Sequence, residues 1–154
     1  MGGTIDKAYP KATGAYAFDI SAPASRDILE VLNPSFTYDI VSICKKDSQD
    51  IVNDDITNLI KYLQKSPHNH IVITHGTDTM AKTGKALDTL RIDKTIILTG
   101  ASKPAAFKNS DAACQVGTAI VASQLLPAGV YIAMHGIVKK VAEISRDPQT
   151  GKFK

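Results

Sequence analysis

The chain has no tryptophan, and aromatic residues fill only 6% of its 154 positions. Surfaces that stack bases need aromatic platforms, so nucleic acid is not an expected partner. Neither sign of charge dominates. Eighteen basic and 15 acidic side chains leave a net charge of +3, scattered along the sequence. Such an excess gives no footprint for a nucleic acid or an anionic membrane. No apolar run is long enough to cross a bilayer. Met1-Gly2-Gly3-Thr4 has neither the basic start nor the apolar stretch of a secretory signal, which sets the expectation of a cytoplasmic protein. There are only two cysteines, Cys44 and Cys114, far apart in sequence. A bridge between them is conceivable, but reduced, buried thiols are expected in that compartment. There is no Gly-x-Gly-x-x-Gly and no P-loop, so nucleotide binding has no support. His68, His70 and His135 lack the spacing of a zinc site.

What is present is an ordinary globular balance, 44% hydrophobic and 21% charged, in a length that suits one domain spanning residues 1–154. Apolar runs alternate with helical patterns. Strands are predicted at 36–43, 70–74, 95–98 and 130–134. Helices are predicted at 25–32, 54–64, 78–90 and 111–126. In the second of these, Ile56, Leu59, Ile60 and Leu63 share one face. Ala112, Val116, Ala119, Ile120 and Ser123 form a small-residue face on the last. Strand and helix in alternation imply βαβ units, and apolar strands imply a parallel sheet covered on both faces. The fold class is therefore α/β, a three-layer sandwich around a mostly parallel sheet.

Ligands of such sheets bind beyond the carboxyl ends of the strands. Those positions hold Lys45 to Asp50, Thr74-His75-Gly76-Thr77-Asp78-Thr79 and Thr99-Gly100-Ala101-Ser102, with Gly2-Gly3-Thr4 at the start. Hydroxyls, glycines and one well-placed carboxylate suit a small, charged, polar ligand. Each piece also has an ordinary reading. Thr77 and Asp78 are good helix caps, Ser48 and Gly100 are good turn residues, and His75 fits a core or turn position.

Taken together, these segments resemble the bacterial L-asparaginase/glutaminase family. The matching pieces are Gly2-Gly3-Thr4-Ile5, Asp47-Ser48-Gln49-Asp50, Ile73 to Met80 and Leu98-Thr99-Gly100-Ala101, with Ser110-Asp111 and Gly129 to Met134 as further landmarks. The resemblance covers nearly the whole chain but only the larger, N-terminal domain of the long enzymes. Gly136 and Thr150-Gly151-Lys152-Phe153 are similar to the end of a short single-domain branch. The resemblance implies hydrolysis of asparagine, and possibly of glutamine, through an acyl-enzyme and without a cofactor. It implies Thr4 as nucleophile, Thr77 and Asp78 as members of a proton relay, and Tyr9, with Tyr16 second, as the assisting tyrosine. Ser48, Gln49 and Asp78 would hold the substrate's carboxylate and ammonium. The amides of Thr77, beside Gly76, and of Ala101 would face the oxyanion. A homodimer or higher assembly is implied, since in the long enzymes the smaller domain closes the site from a neighbouring subunit.

Two departures set further expectations. The family carries an apolar central strand just before Gly-Gly-Thr, and here Met1 stands one residue before Gly2, so the sheet is expected to lack its first strand. The family's relay lysine aligns with Arg146, which cannot shuttle a proton. Lys139, Lys140 and Lys82 are the other candidates. A catalytically impaired amino-acid-binding remnant or a truncated fragment is the alternative function.

Overall fold

The computed structural model describes residues 1–9 and 18–154. A four-stranded sheet forms the middle layer. Its strands are β3 (His70–Thr74), β4 (Thr95–Thr99), β5 (Gly129–Met134) and β6 (Ile137–Lys140), in that spatial order. β3, β4 and β5 run parallel, with Ile71 opposite Ile96 and Ile96 opposite Val130, and β6 returns antiparallel to β5. The three parallel strands fall within a residue of their predicted limits, while β6 lies outside the predicted set. Its hairpin turns on His135 and Gly136, at φ 55° and 80°, the left-handed pair that a two-residue turn needs.

Helices cover both faces. On one side, Leu59 and Leu63 of α2 (Asn53–Lys65) and Met80 and Leu87 of α3 (Met80–Asp88) pack with Ile96, Leu98 and Ile132. On the other lie α1 (Ser25–Leu32) and α4 (Ala112–Leu125), whose Ala112, Val116, Ala119, Ile120 and Ser123 are all buried as the small-residue face predicts. Small side chains let α4 lie close across β3, β4 and β5. α2 is started by Asp55, whose carboxylate accepts the Val52 N–H at 2.9 Å. Two short strands, β1 (Lys7–Ala8) and β2 (Asp19–Ile20), pair antiparallel at the edge of the fold. No helix among the described residues is long and apolar enough to span a membrane.

Three expectations are corrected. Residues 36–43 form no strand. Aromatic and β-branched composition favours extended backbone, but a strand exists only when a neighbour supplies its hydrogen bonds. β3 is the edge strand on this side of the sheet, and only Gly2 makes a bridge to the segment that follows, at Lys46. The helix predicted from Asp78 begins at Met80, because residues 77–79 form a turn whose polar groups look outward to other segments. The thiols are both free, but Cys114 is exposed and Cys44 half-buried, so burial of both does not hold.

Candidate active site

Three segments meet at the carboxyl end of β3. The first is the N-terminal arm. Gly3 donates its N–H to the Lys46 carbonyl at 3.0 Å, and Asp6 closes a tight turn by donating to the Gly3 carbonyl at 3.1 Å. Gly3 has φ 90°, and a Cβ there would lie 2.4 Å from the Gly76 nitrogen. Only glycine permits both the conformation and this approach of two backbones. The turn Thr4–Asp6 is pinned by Ile5, buried beside Ala101, and by the buried Asp6 carboxylate, which accepts the Ala24 N–H at 2.8 Å. Burial pushes the Asp6 carboxyl up from its ordinary value.

The second segment is the turn Ser48–Asp50. Lys46, just before it, is held by Asp55 of α2 at 2.8 Å. The Thr79 hydroxyl donates to the Ser48 carbonyl at 2.8 Å, stitching this turn to the third segment. Ser48 is buried, and its Oγ is the one buried side-chain polar atom without a hydrogen-bond partner among the described residues. A buried hydroxyl left alone is costly, so this one is an open position for a ligand.

The third segment runs from β3 into α3. His75 is fully buried. Its Nδ1 lies 2.8 Å from the Gly76 carbonyl and its Nε2 2.9 Å from the Thr83 hydroxyl. A carbonyl only accepts, so Nδ1 carries the proton and Nε2 accepts from Thr83. Burial lowers the His75 pKa from 6.5 to about 4, which keeps the ring neutral. The imidazole thus ties Gly76 to α3 from below, while Ser48 lies against Gly76 from the side: a Cβ on Gly76 would sit 2.6 Å from the Ser48 Cβ.

Between the segments is a cleft of about 430 Å3 lined by Thr4, Lys7, Asp47, Ser48, Gln49, Asp50, Gly76, Thr77 and Asp78. Asp78 caps no helix. Its Oδ2 accepts from the Gln49 amide at 2.9 Å and its Oδ1 from Arg146 at 2.7 Å. The Arg146 guanidinium, then the Gln49 amide, hold the Asp78 carboxyl below the usual carboxylate range. Arg146 is aimed by donating Nε–H to the Gly151 carbonyl at 2.8 Å and by lying over the Phe153 ring. Opposite stands an ion pair, Lys7 to Asp47 at 2.6 Å, which lowers the Asp47 pKa.

The structure therefore brings Thr4, Ser48, Gln49, Gly76, Thr77 and Asp78 to one cleft, with Arg146 behind Asp78. It does not bring Tyr9 or Ala101 to the cleft wall. Tyr9 is 71% exposed, its ring 4.7 Å from that of Phe18, and Ala101 is buried under the Thr4–Asp6 turn. Tyr16 lies outside the described residues. Lys139 and Lys140 are exposed on β6, and the ion pair of Asp78 goes to Arg146, not Lys82. Lys7 is the residue that sequence reasoning passed over. Its place three residues after Thr4, one turn of a 3-10 helix, puts both on the cleft side and was the available signal.

The family model for "Asparaginase, N-terminal" matches residues 1–147. The chain is 33% identical over 115 residues to a probable periplasmic L-asparaginase of Haemophilus influenzae, a match covering 72% of this chain and 33% of that protein. It is 32% identical over 143 residues to a glutamyl-tRNA(Gln) amidotransferase component of Pyrococcus horikoshii, covering 88% of this chain and 32% of that protein. The thermostable L-asparaginase from Thermococcus kodakarensis superposes with a TM-score of 0.81 at 27% identity, over 99% of this chain and 48% of that one. The chain thus spans about a third of the length of these curated relatives and about half of that solved structure.

Proposed function

Because the chain belongs to the asparaginase family, we propose that its cleft binds asparagine and hydrolyses the side-chain amide through a Thr4 acyl-enzyme. The supporting observation is the convergence of two threonines, Thr4 and Thr77, from distant parts of the chain onto one cleft floored by the unpartnered Ser48 hydroxyl. Ser48 and Gln49 receive the α-carboxylate. Asp78, ionised and half exposed, accepts from the α-ammonium with the lone pairs that Gln49 and Arg146 leave free. Thr4 Oγ attacks the carboxamide carbon, and its proton passes toward the departing nitrogen. The C–N bond breaks, ammonia leaves, and an ester joins Thr4 to the aspartyl group. Water then attacks the ester, returning the threonine hydroxyl and releasing aspartate. The Thr77 backbone N–H faces the oxyanion of both steps. Arg146 fixes Asp78 and keeps it charged, but as a guanidinium it takes no proton.

Arg146 also supports a second reading, an amino-acid-binding domain with weakened chemistry, because the group bonded to Asp78 is one that stays protonated. The two readings separate in one experiment. Purified protein releasing ammonia from asparagine above a Thr4→Ala control supports hydrolysis. Calorimetric binding of aspartate with no release of ammonia supports the binding domain, and neither heat nor ammonia removes both. Residues 1–154 act in this reading as one domain in the cytoplasm, assembled as a homodimer or higher. Light scattering that gives a monomer at all concentrations would refute the assembly.

A further inference from the structure

His135 stands outside the cleft, in the turn between β5 and β6, yet it is bonded to the segment that carries Arg146. We propose that His135 is a positioning residue for the cleft: its neutral imidazole holds the hairpin 145–154, whose Arg146 aims the Asp78 carboxylate. That this hold matters to substrate rests on the proposed binding of the α-ammonium by Asp78.

The hairpin is stiff within itself. Arg146 and Phe153 form an antiparallel bridge, Asp147 donates its N–H to the Lys152 carbonyl at 2.8 Å, and Gly151 donates to the Asp147 carbonyl at 2.8 Å. The Asp147 carboxylate accepts the N–H groups of Gln149 at 2.9 Å and of Thr150 at 3.1 Å. Arg146 and Phe153 therefore move together. Among the described residues, only two hydrogen bonds leave this hairpin. One runs from Arg146 to Asp78 at 2.7 Å, the other from the Phe153 N–H to His135 Nδ1 at 3.1 Å. The rings of His135 and Phe153 also stack, with centroids 5.9 Å apart, and the Arg146 guanidinium lies over the same Phe153 ring at 5.9 Å. One buried aromatic ring thus passes the place of His135 on to Arg146.

The bond to Phe153 fixes the imidazole proton. A backbone N–H only donates, so Nδ1 is the acceptor and Nε2 carries the hydrogen. Nε2 lies 3.3 Å from Ser102 Oγ, the acceptor on that side. Ser102 is itself fixed, because the Asp111 carboxylate at the head of α4 accepts its N–H at 3.0 Å. Both sides of the ring are matched to the neutral form. A second proton goes on Nδ1 and sets a donor against the Phe153 N–H, which loosens the hairpin and with it Arg146. Burial opposes that proton most, Lys152 and Arg146 add to the opposition, and Asp111 favours it; the balance holds the His135 pKa below its ordinary 6.5. The hold is intact at neutral pH and weakens in acid. Asp78, held below the usual carboxylate range, keeps its own charge as this happens.

The test compares the 154-residue chain with His135→Asn and His135→Gly. Both replacements accept the φ of 55° at this position. Asparagine keeps an acceptor in the place of Nδ1 but does not titrate, and glycine offers no acceptor. Two NMR readings at pH 7.5 need no ligand. In His135→Gly the Phe153 amide loses about tenfold of its protection from hydrogen exchange, and the Asp78 carboxyl carbon signal shifts toward its position in Arg146→Met; His135→Asn restores both. Calorimetry with aspartate then gives the pH profile. Wild-type affinity falls about tenfold from pH 7.5 to pH 4.5, in step with the titration of the His135 ring protons. It stays within about twofold in His135→Asn, and in His135→Gly it is already about tenfold lower at pH 7.5. Unmoved Phe153 and Asp78 signals in His135→Gly, or an equal fall of affinity with pH in His135→Asn, would overturn the proposal. No heat with aspartate in any of the three proteins, with both signals moved as expected, would refute the reading of the cleft while upholding the hold of His135 on Arg146.

Discussion

His75 gives a stability test of the scaffold under the cleft. It is fully buried between the Gly76 carbonyl and the Thr83 hydroxyl, and burial depresses its pKa from 6.5 to about 4. In the unfolded chain the imidazole takes up a proton near pH 6.5, whereas in the folded chain it resists until about pH 4. Between those values the unfolded state binds more protons, so stability falls as pH drops. At about 1.4 kcal/mol for each pH unit of the gap, the loss reaches about 3 kcal/mol. Urea unfolding of wild type and His75→Asn, at half-unit steps from pH 7.5 to pH 4, isolates this one group because carboxylate contributions are common to both. The stability difference between the two proteins should shrink by about 3 kcal/mol over that range, nearly all of it below pH 6.5. A difference constant with pH would refute the neutral, buried histidine, and with it the assignment of the Nδ1 proton to the Gly76 carbonyl.

Other substitutions test the cleft itself. Gly76→Ala places a methyl 2.6 Å from the Ser48 side chain. It should cost about 1–3 kcal/mol and abolish calorimetric binding of aspartate, because Ser48 is displaced from the position a carboxylate would take. Gly3→Ala meets backbone at 2.4 Å with φ 90°, where no rotamer gives relief. It should cost more than Gly76→Ala, about 3 kcal/mol or above in thermal or urea unfolding. Arg146→Met removes the first cause of the depressed Asp78 pKa. The Asp78 carboxyl, followed by carbon NMR, should climb back toward the ordinary carboxylate value. The stability that the pair adds above that value, lost as pH falls through the depressed pKa, should be under about 1 kcal/mol, since both side chains are more than a third exposed.

The strands and helices of the core were legible because their patterns are redundant. Ile71, Val72 and Ile73 between polar flanks, or Ile56, Leu59, Ile60 and Leu63 at helical spacing, allow few other structures. Ser25–Leu32 matched its helix to the residue. Residues 36–43 misled because strand propensity describes fit to a neighbour, and no strand among the described residues pairs with them. At the site, the residue types and their places after strands drew Ser48, Gln49, Thr77 and Asp78 together. What the sequence could not carry was direction. Nothing in Thr77-Asp78 says that the carboxylate turns away from the helix toward Gln49 and Arg146, because a cap and an outward ligand use the same residues. Lys7 was hidden for the opposite reason. A lysine near a chain end reads as a surface charge until Asp47, 40 residues on, is found 2.6 Å away.

The three walls of the cleft are not equally firm, and the difference bears on which one limits its chemistry. Thr77 and Asp78 hang from β3, which is paired along its whole length with β4, and from α3, packed by Met80 and Leu87 into the core. Ser48 and Gln49 are tied to α2 by Lys46 and to α3 by Thr79. Thr4 depends on backbone bonds to Lys46, on Ile5, on one buried carboxylate, Asp6, and on Met1, which is buried and bonded to the Thr74 carbonyl. Local opening starts where buried contacts are fewest, so the nucleophile's arm opens before the wall that binds the zwitterion. Attack at a carbonyl tolerates far less displacement than ion pairing does, and ~1 Å at Thr4 can cost a hundredfold in rate. On heating, ammonia release should therefore fail at a lower temperature than aspartate binding. Coincident loss of the two would mean that the arm is as firmly held as the strand beneath Thr77.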